Sequence, residues 1–459
     1  MPVRGARLQG HCTARRLADN FALVNLLERL YDGALSLLRP AIERGARSAR
    51  SRRAITGRRQ TLDVFARWAR ESRDHSRPLI WVHAPSVGES LMAAEIISEL
   101  RARHACQIAF TFFSPSAERI SAQVGADVSA WLPWDTARDV RRSLDDLEPA
   151  AVVFVRTEIW PGLVREAKRR GIPVALVNAP LAEGSSRLKP LARWLLRSAY
   201  ASLDAVGAVG EADRLRFSRL GVSPSRAVVT GDARFDQVAR RVAAIDRDSQ
   251  WLRPFLAQDV PAIVAGSTWP ADENRLIPAV AALRRQRPVR LIVAPHEPTS
   301  AHLEGLEARL DRQGLSRARL STLLEGDPLP DVIIVDRMGI LADLYAAGRV
   351  AYVGGGFGRN GLHSVIEPAA LGVPVVTGPR AGNSGEAIGL RAAGGAALEQ
   401  DSESIRARLN EWLDDAGAGR RARAFVESRL GGAARNAALV ARLLDNTQTE
   451  NPELSGGVP

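Results

Sequence analysis

The chain has 459 residues, of which 46% are apolar and 25% charged, with a formal net charge of +12. This length exceeds what one ordinary hydrophobic core supports and calls for two domains, and the apolar and charged shares are those of a soluble globular protein. Cys12 and Cys106 are far apart in sequence, which excludes a disulfide-framed secreted scaffold and leaves a reducing compartment as the default. Lys168 and Lys189 are the only lysines, so nearly all the positive charge is arginine. That skew reads as codon bias rather than selection for phosphate contacts. The arginines are dispersed without an aromatic-interleaved patch, so no nucleic-acid partner is expected.

Residues 1–77 form a first segment. From Phe21 to Ile42, apolar residues recur at three- and four-residue spacing (Phe21, Val24, Leu27, Leu30, Tyr31, Ala34, Leu37, Leu38, Ala41), which predicts an amphipathic helix. Glu28, Arg29 and Asp32 interrupt it, so it falls short of the ~20 apolar residues a membrane span needs. A basic cluster follows, with Arg44, Arg47, Arg50, Arg52, Arg53, Arg58 and Arg59. Such a pair suits an anionic membrane surface, and equally a surface helix with a solvated basic tail.

From Pro78 the pattern becomes alternating strands and helices. Apolar runs at Leu79–Ala84, Gln107–Phe113, Ala151–Val155, Val174–Asn178, Ala205–Val209 and Ala227–Thr230 predict a parallel α/β domain over residues 78–240. Residues 241–260 lose the strand pattern and read as a linker. A second alternation, with runs at Ala262–Ala265, Val289–Ala294, Val332–Val335, Val350–Val353 and Val373–Thr377, predicts a second domain over residues 261–445. The polar stretch 446–459 reads as a disordered tail. Two doubly wound α/β domains in tandem, facing across a cleft, are the expected architecture.

Sheets of this kind place ligands at the carboxyl ends of their strands, so residues there are the candidates. Glu89 follows the first run in Pro85-Ser86-Val87-Gly88-Glu89; it suits a general base, and equally the third residue of a capping box begun by Ser86. Glu158, in Thr157-Glu158-Ile159-Trp160-Pro161, holds the same topological position after Ala151–Val155; a carboxylate there is also favoured simply by the helix start. In the second domain Ser267 and Thr268 have hydroxyls to offer a phosphate, or a helix cap. The stretch from Val350 to Asn383 reads as strand, glycines, helix, strand. Gly354, Gly355 and Gly356 allow close approach of backbone to a ligand, and the amide groups of a following helix suit an anion. Glu367 on that helix suits the paired hydroxyls of a ribose. The histidines are not spaced as zinc ligands, and there is no Ser elbow or P-loop lysine.

Several motifs taken together resemble one family. Trp81–Glu89, Leu132-Pro133-Trp134-Asp135, Thr157–Pro161, Val229–Asp236, Ala265–Trp269, Asp336-Arg337-Met338-Gly339 and Tyr352–Pro379, in this order, look like 3-deoxy-D-manno-octulosonic acid (Kdo) transferases. These are GT-B glycosyltransferases of lipopolysaccharide synthesis, and the resemblance covers roughly residues 20–440. It implies inverting transfer of Kdo from CMP-Kdo to a lipid A precursor, without metal or cofactor, at the cytoplasmic face of the inner membrane. On it, Glu89 is the general base and Glu158 a second acidic residue of the site. The donor contacts fall on Ser267, Thr268, Met338, Gly339, Gly355, Gly356 and Glu367. The amphipathic helix takes the place of the family's membrane-associated segment. Three positions depart from the common pattern: His296 where many members have arginine, Ser364 where they have asparagine, and Pro180 where they have arginine. A GT-B transferase of another activated sugar, and a non-catalytic envelope protein that binds nucleotide or lipid, are the alternatives.

Overall fold

The computed structural model describes residues 31–256, 259–323, 328–382 and 384–450. The predicted helical positions 21–30, Asn383 and the end of the expected tail, residues 451–459, lie outside them. Two seven-stranded sheets carry the chain, and every strand pair in both is parallel. The first consists of β1 (Leu79–His83), β2 (Gln107–Phe112), β3 (Val128–Trp131), β4 (Ala151–Val155), β5 (Val174–Ala179), β6 (Ala205–Ala208) and β7 (Ala227–Val229), in the order β3-β2-β1-β4-β5-β6-β7. The second consists of β8 (Ala262–Thr268), β9 (Arg290–Pro295), β10 (Arg317–Arg319), β11 (Val332–Ile334), β12 (Gly348–Val353), β13 (Val375–Thr377) and β14 (Ala396–Leu398), in the order β10-β11-β9-β8-β12-β13-β14.

Both orders reverse direction at one place. In the first sheet β1 lies between β2 and β4, and in the second β8 lies between β9 and β12. Helices leave the two strands of such a pair toward opposite faces, which opens a crevice at their carboxyl ends. Central strands covered on both faces need apolar residues at every position, and β1, β2, β4 and β5 are buried throughout. Three strands escape the sequence pattern: β3, β10 and β14. All are edge strands of three or four residues, and β10 reads Arg-Ala-Arg. An edge strand is covered less, so it has no continuous apolar run to announce it.

The chain divides into two compact units, one comprising residues up to Arg234 together with those from Gly431, the other Phe235–Leu430. These limits differ from the expected ones in three ways. First, the helix Gly432–Glu450 belongs with the first unit, and it runs through residues 446–450, where a loose tail was expected. Its anchor is Asn436, fully buried, whose Oδ1 accepts from the Asn178 amide and the Thr230 hydroxyl, both at 2.8 Å, while its Nδ2 donates to Gly432 O. Second, the expected linker is part of the second unit: the helices Ala233–Ala243 and Arg253–Leu256 cross it, and Phe255 is in the core. Third, much of the basic segment is helical rather than a loose tail, with Arg44, Arg47, Arg50, Arg52, Arg53 and Arg59 exposed. It opens the helix Ala49–Ser72, which buries Arg58, Thr61 and Phe65. Phe65 meets Trp81 of β1 edge to face at 5.8 Å, and the Thr61 hydroxyl donates to Trp131 O at 2.9 Å.

Replacing Asn436 with alanine strands a buried amide and a buried hydroxyl, so the first unit is expected to lose about 2–3 kcal/mol. The loss is measured as a lower unfolding midpoint together with faster hydrogen exchange at the Asn178 amide.

Candidate active site

In the first unit the β1/β4 crevice collects the acidic candidates. Glu89 lies in the first turn of the helix Val87–Arg101, directly after β1. Ser86 is its N-cap by backbone geometry, yet its side chain makes no capping bond, so the capping-box role open to Glu89 in the sequence is not used. The Oε2 of Glu89 is buried with no hydrogen-bond partner among the described residues. Glu158 follows β4, and the charges of the two carboxylates act on each other. Burial pushes Glu158 above the usual glutamate range; Arg187 pulls it down, Glu89 raises it, and Arg58 lowers it further.

Two motifs join to hold Glu158. Asp135, buried at the end of the Leu132–Asp135 motif, accepts from the amides of Gly162 (2.7 Å) and Leu163 (2.8 Å), the second and third residues of the helix Pro161–Arg169. Trp160, the N-cap, has no side-chain acceptor to offer, so the cap comes from a remote carboxylate. The Tyr31 hydroxyl donates to the same carboxylate at 2.9 Å. Burial lifts Asp135 to about 6, against the opposing pull of these hydrogen bonds.

Sequence reasoning gave no role to two further residues here. His83, at the end of β1, is fully buried, with Nδ1 hydrogen-bonded to Thr111 O at 3.0 Å; burial pushes its pKa down to about 3, so the ring is neutral. Arg58 lies against the rings of Phe113, Trp134 and Trp160, at 4.3, 4.8 and 5.8 Å from their centres. Nothing distinguishes it in sequence from its six companion arginines in the basic cluster.

In the second unit the candidates gather at the carboxyl ends of β8, β11 and β12. Three dense packing contacts explain the glycines. A Cβ on Gly354 would collide with Ser267 O, one on Gly355 with Gly361 O, and one on Gly356 with Gly378 N. Gly355 also has φ +96°, and its amide donates to Asp272 Oδ2 at 2.9 Å. That amide is therefore already committed. The helix expected directly after the glycines begins only at Ile366 and ends at Ala370, so its amino end is ten residues further on. Glu367 lies on it, close enough for its charge to act on the buried Tyr345. Thr268 departs from expectation: it is fully buried and its hydroxyl donates inward to Glu273 Oε1 at 3.0 Å, because the helix Pro270–Arg284 turns Glu273 back beneath the strand end. Ser267 is partly exposed and held at φ +53°, a strained conformation at a strand terminus. Met338 is exposed and Gly339, at φ +94°, accepts from Arg241 through its carbonyl.

Beside these residues three rings stack. His296 lies 4.7 Å from Trp269 and 4.4 Å from His363, and the Trp269 indole N–H donates to His363 Nε2 at 3.2 Å. Burial, and then His296, hold His363 below the ordinary imidazole value. The His296 departure thus brings a ring that packs, where an arginine would bring a fixed charge.

Two parallel α/β units, each with its candidates at the carboxyl ends of its strands, define a two-unit transferase-type fold. The UDP-GlcNAc 2-epimerase of Neisseria meningitidis is similar, with a TM-score of 0.59 and 13% identity, covering 80% of this chain and all of that one. Another UDP-N-acetylglucosamine 2-epimerase is similar at a TM-score of 0.55 and 15% identity, over 83% of this chain and 98% of that one. These likenesses place the fold among the GT-B architectures. The family profile described as 3-deoxy-D-manno-octulosonic-acid transferase (kdotransferase) matches residues 59–237. The 3-deoxy-D-manno-octulosonic acid transferase of Bordetella pertussis is 34% identical over 369 residues, 76% of this chain and 82% of the relative; that of Haemophilus influenzae is 28% identical over 303 residues, 65% and 70%. The chain belongs to the 3-deoxy-D-manno-octulosonic acid transferase family.

If Asp135 carries the Glu158 loop, Asp135→Ala uncaps the Pro161–Arg169 helix. The substitution is expected to lower stability by about 1–3 kcal/mol, with Asp135→Asn, which keeps one acceptor oxygen, costing less in the same thermal melts.

Proposed function

We propose that this protein transfers Kdo from CMP-Kdo to a hydroxyl of a lipid A precursor of the lipid IVA type, with inversion at the sugar. The observation that carries this reading, within a Kdo transferase family chain, is the pair of carboxylates at the β1/β4 reversal, with the Glu89 Oε2 unpartnered. Glu89 accepts the proton of the acceptor hydroxyl as that oxygen attacks the anomeric carbon. The bond from this carbon to the phosphate oxygen of CMP breaks, and CMP leaves with the electron pair. Glu158 accepts a hydrogen bond that orients the attacking hydroxyl or the sugar beside it. On the donor side Ser267 and the main chain around Gly355 and Gly356 remain the groups assigned to CMP, with Gly339, Met338 and Glu367 around them; Thr268 serves by supporting the strand end from beneath.

A lipid acceptor and an anionic membrane surface are supported by two apolar faces of the first unit. The described part of the first helix, residues 31–44, turns polar groups inward: Tyr31 to Asp135, Asp32 to the Ala137 amide, and Arg39 to Asp139. Leu37, Leu38 and Ile42 are left outward, at 81%, 55% and 47% exposure. The helix Pro190–Ala201 likewise exposes Leu191, Trp194 and Leu195, flanked by Lys189, Arg193 and Arg197. Tyr200, near the carboxyl end of the same helix, donates to Thr157 O, one residue from Glu158. Clustered exposed apolar side chains with basic neighbours fit lipid better than water. No helix among the described residues is long and apolar enough to cross a membrane. We assign the protein to the cytoplasmic face of the inner membrane.

Purified protein given CMP-Kdo and lipid IVA is expected to release CMP and give a product heavier by whole Kdo residues in mass spectra. Glu89→Gln is expected to reduce the rate by 10² to 10⁴-fold while retaining CMP-Kdo binding; an unchanged rate removes Glu89 as the base. Because Glu158 is raised by burial, loss of its ionised form on acidification starts at a higher pH than for an exposed glutamate, so the acid limb of the rate profile is expected above about 4.3. Changing Leu191, Trp194 and Leu195 together to serine is expected to weaken binding to anionic phospholipid vesicles by at least about tenfold, read by cosedimentation against neutral vesicles.

A further inference from the structure

Arg58 is more than nine-tenths buried, and its Nη2 has no hydrogen-bond partner among the described residues. A neutral side chain of similar length would fill the space between Phe113, Trp134 and Trp160 without the cost of burying a charge. The ring faces offset part of that cost through cation–π attraction. The remaining compensation is Coulombic, and the acidic groups whose charges act on Arg58 are Glu158 first and then Asp135. Neither forms an ion pair with it, so in this poorly screened interior the guanidinium acts on the carboxylates through space.

We propose that Arg58 is a positioning residue for the transfer reaction: from its aromatic box it fixes the wall of rings beside the two carboxylates and keeps a buried positive charge at the turn that carries Glu158. The wall is continuous, since Phe113 stacks on Trp160 at 5.7 Å and Trp160 meets His83 at 6.4 Å. Around Glu158 the other charged or titratable groups are Glu89 from the Val87–Arg101 helix, Arg187 from the turn Ser186–Leu188 and Tyr200 from the Pro190–Ala201 helix. Around Arg58 are Asp135 and the neutral His83. Arg187, whose charge lowers Glu158 more than that of Arg58 does, is hydrogen-bonded to Tyr200, so Arg58 is the second cation of the pair and the one enclosed by rings. The charge of Glu89 raises Glu158, and with Arg58 neutralised Arg187 alone opposes burial and Glu89, so Glu158 takes up a proton more readily and then no longer accepts a hydrogen bond from the substrate through that oxygen. The inference rests on the reaction proposed above for its consequence, and on Arg58 and Glu158 alone for its physics.

The test is a carboxyl ¹³C titration of the full chain labelled at glutamate, with the Glu158 signal identified by its loss in Glu158→Gln. In Arg58→Met and Arg58→Gln, Glu158 is expected to titrate about one pH unit higher than in the parent protein, and the acid limb of the Kdo-transfer profile moves up with it. Arg58→Lys, which keeps the charge, is expected to hold Glu158 near its parent midpoint. If the neutral variants fold and Glu158 titrates where it did before, or if both neutral variants fail to fold, Arg58 is structural only and the proposal is overturned. The titration reads Glu158 directly, so a parent protein without Kdo transfer would overturn the reaction assigned above and leave the coupling to be judged on its own.

Discussion

The acidic site of the first unit depends on one buried carboxylate. Asp135 stands where three parts of the chain converge: the end of β3, the start of the helix after β4, and the helix of residues 31–44. A helix start leaves amides without partners, and in a buried position those amides need an acceptor. The cap residue here is Trp160, which has none, so the acceptor is imported from the loop after β3. The exchange frees Trp160 to pack on Phe113 and Arg58, and it sets the short turn that carries Glu158. The placement of the Glu158 turn and the packing of Trp160 beside it follow from those bonds.

The second unit is organised by closeness rather than by charge. Strand ends β8, β12 and β13 approach so tightly that no side chain fits at Gly354, Gly355 or Gly356. Much of the polar potential of the strand ends is used in holding this arrangement. Asp272 takes the Gly355 amide, Glu273 takes the Thr268 hydroxyl, and His302 donates to the same Glu273 at 2.8 Å. The outer boundary is the stacked Trp269, His296 and His363. A surface made this way owes its shape to backbone packing, which makes changes such as His296 and Ser364 tolerable to the fold.

Much of this was legible from residue order. The inner strands announced themselves because a parallel strand covered on both faces must be apolar at each position. The placement of Glu89 and Glu158 after β1 and β4 was legible for a related reason: each follows such a run directly. Of the short edge strands, β7 was legible as Ala227–Thr230, whereas β3, β10 and β14 were not, since they carry no long apolar run. Thr268 was misread because a hydroxyl at a strand end looks the same whether it faces outward or is bonded to a glutamate five residues on. The helix expected after the glycines was placed too early because tight turns and anion loops use the same residue.

Sequence by itself therefore determined the two α/β units, the strand ends that matter and the family, because burial and backbone geometry leave local, periodic marks. Only the tertiary structure decided which arginine of a basic cluster is buried among three rings, that the helix Gly432–Glu450 belongs to the first unit through Asn436, and that the first helix turns Leu37 and Leu38 outward. These are facts about partners separated by tens to hundreds of residues, and local periodicity does not encode which distant surface a side chain meets.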